Sequence, residues 1–116
     1  MSKTQPLGSV RGKTVPASTN SQSIDWTAAS YYADRKANLV VYITSTHGGT
    51  LYMTFGDETD TDLAALPHVI TEAVTANETL GFVCPFPAGC NQGRVYFANA
   101  SGGPATYNMH AGLEEV

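Results

Sequence analysis

A chain of 116 residues has room for one hydrophobic core. Its net charge of -4, with only 6 Lys and Arg, excludes a surface built to neutralise phosphates and so argues against a nucleic-acid binder. Charged residues are 14% of the chain and Gly and Pro number 11 and 6, the composition of short strands joined by turns, and no run approaches membrane-spanning length.

Residues 1–23 contain no large aromatic, and Pro6, Gly8, Gly12 and Pro16 interrupt any period. The segment is expected to be either a floppy tail or an extended N-terminal arm that orders on a partner. Leu7, Val10 and Val15 would be its apolar anchors, and Arg11 and Lys13 its charges. Lys13-Thr14-Val15-Pro16 could add to a sheet edge. Met1 to Pro6 is not followed by an apolar stretch, so a protein made and kept in the cytoplasm, or assembled there, is expected. A second region, residues 24–116, should form the folded body.

Ile24 and Trp26 alternate with Asp25 and read as a short strand facing a core. Residues 28–34 suit a helical turn or a crossing loop. The central stretch, Asn38 to Asp62, holds NLVVYIT and TLYMTF separated by Ser-Thr-His-Gly-Gly, the pattern of a β-hairpin. A turn centred on His47 sets Ile43 opposite Leu51, Val41 opposite Met53 and Leu39 opposite Phe55, a greasy face that a second sheet must cover. The other face would stack Tyr42 on Tyr52 as a surface aromatic platform.

Asp57, Glu58, Asp60 and Asp62 fall within six residues. Clustered carboxylates can hold Ca²⁺, with Asp57, Asp60 and Asp62 the ligands, and the alternative is a solvated loop in which an Asp or Thr caps Leu63 to Leu66. The EF-hand pattern is absent, because position 64 is Ala. Further strands follow at His68 to Thr75, Leu80 to Cys84, Arg94 to Ala98 and Ala105 to Ala111. In the last of these, Tyr107 and Met109 face one way and Thr106, Asn108 and His110 the other. The whole reads as all-β: an antiparallel β-sandwich or jelly-roll-like barrel of about seven strands.

Cys84 and Cys90 flank Pro-Phe-Pro-Ala-Gly and read as free buried thiols, with a disulfide as the alternative; two Cys alone cannot complete a zinc site. The sequons at Asn77 and Asn99 are read as chance. His47, His68 and His110 lie in no nucleophile, zinc-protease or phosphate-loop motif, so no enzyme and no cofactor is expected.

Val15-Pro16-Ala17-Ser18 before Ile24, LYMTFGD at Leu51 to Asp57, the Pro-bounded strand after it, and GRVYFANASGGPA from Gly93 resemble small β-sandwich virion proteins of tailed bacteriophages, capsid decoration (cement) proteins above all. The resemblance implies a non-catalytic homo-oligomer, dimer or trimer, on the capsid surface. It would bridge major capsid protein subunits, bind neither nucleic acid nor membrane, and be assembled in the host cytoplasm. A carbohydrate-binding module and a fibre, neck or tail component are the alternatives.

Overall fold

The computed structural model describes residues 4–27, 37–57, 59–87 and 89–115. Eight strands occur in chain order: β1 (Thr4–Val15), β2 (Ile24–Thr27), β3 (Ala37–Ser45), β4 (Gly49–Gly56), β5 (His68–Val74), β6 (Leu80–Pro85), β7 (Gln92–Asn99) and β8 (Ala105–Glu115). They form two four-stranded antiparallel sheets, ordered β1-β8-β3-β6 and β2-β7-β4-β5. Pairing is nested: β1 with β8, β2 with β7, β3 with β6 and β4 with β5. This is one long antiparallel ribbon rolled over itself, a jelly roll. The expected turn or crossing loop at 28–34 lies outside the described residues.

The central hairpin is not formed. Ile43 pairs with Leu80 and Met109, whereas Leu51 pairs with Glu72 and Phe97, because β3 and β4 belong to different sheets. The link at 46–48 is held by other partners: Thr46 N–H donates to Thr106 O at 3.0 Å, and Asn77 N–H donates to Ser45 O at 2.7 Å. Each half of the expected hairpin has an apolar face, and two such faces side by side in one sheet would need a second layer built from other strands to cover them. In opposite sheets they cover one another, so Leu39, Val41, Ile43, Leu51, Met53 and Phe55 are all buried in one core.

The leader is extended, but it lies on its own chain. β1 runs along β8 from Thr4 opposite Glu114 to Val15 opposite Ala105. Val10 and Val15 are buried in the core and Leu7 is packed against it, so these three are not free to anchor a partner; only Arg11 and Lys13 of the expected set are exposed. The features that suggested a tail suit an edge strand instead. Pro6 gives up an N–H, Gly8 lets the Ile24 side chain come within 3.2 Å of where a Cβ would stand, and Gly12 at φ 59° sits in a bulge between Val10 and Lys13.

Asn99, which opens one of the two sequons, is a buried clamp. Its Nδ2 donates to Val15 O (3.1 Å), Pro16 O (3.3 Å) and Gly103 O (2.8 Å), and its Oδ1 accepts from Ser101 N (3.0 Å). The end of β1 is thereby tied to the turn between β7 and β8. Such a side chain is inaccessible to a glycosylating enzyme in the folded state.

Candidate functional site

With the inner faces consumed by the core, chemistry with other molecules falls to the two outer faces and the loops. The body is a slab of 42 × 32 × 19 Å, so the faces are its broadest surfaces.

On the outer face of the β2-β7-β4-β5 sheet, cross-strand register makes three rows. Ala73, Thr50 and Ala98 form the first; Thr71, Tyr52 and Tyr96 the second; Val69, Thr54, Arg94 and Asp25 the third. Tyr52 stacks on Tyr96 with ring centroids 4.9 Å apart and planes 6° from parallel. Val69 is 54% exposed. The ionised groups in these rows cancel: Arg94 Nε donates to Asp25 Oδ1 at 2.8 Å and Nη2 to Oδ2 at 3.2 Å, which holds the Asp25 carboxyl below its ordinary range. The three rows therefore carry two tyrosines, an exposed valine and no net charge, in a chain whose net charge is -4.

The outer face of the other sheet differs. Tyr42 is 54% exposed and stands between His110 on β8 and Gly81 on β6. Its ring overlies the glycine, where an added Cβ would come within 2.9 Å of Cε1. Ser9 Oγ lies 2.7 Å from His110 Nδ1. Two shallow depressions flank the Tyr42–His110 ridge, one toward Arg11 and Thr44 and the other toward Pro6 and Val40. Tyr42 and Tyr52 thus occupy opposite outer faces and do not stack; the shared platform required the hairpin that the fold lacks. The Ser9–His110 pair joins residues 101 apart in sequence, and only the β1–β8 register could have revealed it. Among the described residues no carboxylate hydrogen-bonds the His110 ring, the third member that a nucleophilic triad uses.

The acidic loop spends its carboxylates on its own backbone. Asp57 Oδ1 accepts from Thr59 N (2.8 Å), Asp60 Oδ2 from Asp57 N (2.8 Å), and Asp62 Oδ1 from Ala64 N (2.9 Å), capping the 3₁₀ turn Leu63–Ala65. The Thr59 hydroxyl and N–H hold the Asp57 carboxyl below its ordinary range. Among the described residues no three His, Cys, Asp or Glu side chains are grouped so as to hold a metal ion. The capping role expected of an Asp in this loop is played by Asp62. No helix among the described residues is long and apolar enough to cross a membrane.

Cys84, inward on β6, and Cys90, half-buried in the following loop, are free thiols, and burial pushes both above the ordinary value of 9.0. A thiol raised on folding contributes stability below its unfolded pKa, and that contribution fades as pH climbs through the folded value. Thermal stability should fall above pH 9.0, less so in Cys84→Ala. Iodoacetamide at pH 8 should modify Cys90 first and Cys84 only on unfolding; by mass spectrometry, equal rates at both positions would contradict the burial.

No protein-family model matches this chain, and no curated protein is similar to it.

Proposed function

We propose that the protein is a structural component of a bacteriophage virion that decorates the capsid surface, bridging major capsid protein subunits as a dimer or trimer. The observation that carries this reading is the outer face of the β2-β7-β4-β5 sheet. A broad, aromatic surface whose charges cancel is cheap to desolvate, and interface centres are depleted in charge and enriched in tyrosine. Binding there needs no preformed pocket. Closed oligomers are expected from symmetry.

The test is decoration of expanded capsids that lack the protein. Val69→Glu alters an exposed side chain, so the fold should persist by circular dichroism. It should weaken capsid binding about tenfold or more, because docking would have to desolvate an unpaired carboxylate where the parent buries an apolar side chain. Decoration at wild-type affinity by a folded Val69→Glu, Thr71→Glu double variant would remove this face as the docking surface. The second reading, a carbohydrate-binding component of a fibre, neck or tail, is favoured by a different observation, the depression beside Tyr42.

A further inference from the structure

The opposite outer face carries a concave, largely apolar spot with polar side chains and one arginine around it, which docking through the β2-β7-β4-β5 sheet would leave facing solvent. The depression beside Tyr42 has a volume of about 230 Å³. That is below the roughly 300–1,000 Å³ of drug-sized sites, and it suits a single ring. Its wall on the β1 side is made by the bulge. Gly12 N–H donates to Asn108 Oδ1 at 2.9 Å, and Asn108 Nδ2 donates to Thr44 Oγ1 at 3.2 Å, so the bulge is pinned across the sheet rather than left to drift. Bulges re-aim side chains, and this one sets Arg11 out of the ladder at the rim of the depression. Among the described residues Arg11 has neither an ion pair nor a hydrogen-bond partner for its guanidinium.

Three chemistries therefore meet. The Tyr42 ring, held over Gly81, supplies a flat apolar plane. Ser9, Thr44, Asn108 and His110 supply hydroxyl, amide and imidazole groups around it. Arg11 supplies an unspent fork-shaped cation in an otherwise acidic chain, suited to a carboxylate. A pyranose ring has an apolar face of axial C–H bonds, an equatorial girdle of hydroxyls and, in uronic acids, a carboxylate at one end.

We propose that this depression binds an acidic pyranose, with its ring face on Tyr42, its hydroxyls on the surrounding polar side chains and its carboxylate on Arg11. The site is independent of capsid docking and is tested on the full-length chain in the absence of any capsid.

The experiment is an amide chemical-shift titration with D-glucuronic acid, with methyl glucoside and acetate as separate arms. Expected are saturable shifts at Ser9, Tyr42, Asn108 and His110. Arg11→Met should raise Kd about tenfold, the loss of one charge-assisted contact at an exposed site. Tyr42→Phe, which keeps the plane, should bind as the parent does, and Tyr42→Ala should not bind. Equal response to acetate would reduce the site to an anion spot and overturn the proposal. Equal affinity for methyl glucoside would overturn the carboxylate's role, and shifts confined to Tyr52 and Tyr96 would place binding on the wrong face.

Discussion

Deletion of residues 1–15 is expected to abolish cooperative folding. The deletion removes all of β1, Thr4–Val15, and strips the whole outer edge of β8, from Ala105 to Glu114. Val15, at 1% exposure, and Val10 leave the core with it. Burial of each such side chain is worth roughly 1.5–3 kcal/mol. The lost ladder bonds add about 0.5–1.5 kcal/mol apiece, and Asn99 Nδ2 loses its acceptor at Val15 O. Set against a total stability of about 5–15 kcal/mol for an ordinary domain, the sum is ruinous. Thermal melts followed by near-ultraviolet circular dichroism should show no cooperative transition in the truncated chain. A melting temperature within a few degrees of the full-length protein would mean that β1 is an appendage. The same result would restore the reading of residues 1–23 as an arm for a partner.

The leader shows what local sequence can and cannot carry. Which residues face inward was legible almost everywhere, because a strand buried on one face must alternate. Leu39, Val41 and Ile43 are in, and Tyr107 and Met109 face opposite to Thr106, Asn108 and His110. Which strand lies beside which was not legible. In a nested ribbon the pairing joins residues as far apart as Thr4 and Glu114, and nothing near either one encodes the other. The His-Gly-Gly stretch after β3 had the chemistry of a tight turn, yet it serves a crossing between sheets. Pro6, Gly8 and Gly12 looked like breakers when read singly; paired with β8 they are the means by which an edge strand is blunted and bent.

The candidate surfaces follow the same division. Tyr42 and Tyr52 were each correctly placed away from the core, but their expected contact inherited the wrong pairing. Tyr96, the actual stacking partner of Tyr52, is its neighbour only through the β4–β7 register. The acidic loop needed no long-range knowledge, since Asp62 caps a turn two residues on, and the capping alternative could be written from the local pattern alone. Arg11 was singled out for its charge, but its aim across the sheet depends on Asn108, 97 residues downstream.

Gly93→Ala should be the most damaging conservative single substitution considered for the core. Gly93 lies on the inner side of β7, opposite Trp26 on β2 and Phe55 on β4. A Cβ at this position would stand 2.6 Å from Trp26 Cζ2 and 2.8 Å from Cε2, and closer still to the Thr54 carbonyl oxygen. The carbonyl belongs to a central strand and cannot retreat without breaking the β4–β7 ladder. Trp26 has no easier escape. Its ring stacks on Phe86 at 5.0 Å and meets Phe55 edge-on at 5.8 Å, and its buried Nε1 donates to no partner among the described residues. Shape alone fixes the indole, so one added methyl must displace three rings together. Overpacking a core ordinarily costs about 1–3 kcal/mol, and with backbone on one side the upper end or beyond is expected, at least ~3 kcal/mol. For a domain of this size that lowers the melting temperature by roughly 10 °C or more. Gly102→Ala is the control, since a Cβ there meets nothing within 4 Å, and it should shift stability by no more than about 0.5 kcal/mol. Equal melting temperatures for the two variants would show that the Trp26 ring does not lie across Gly93.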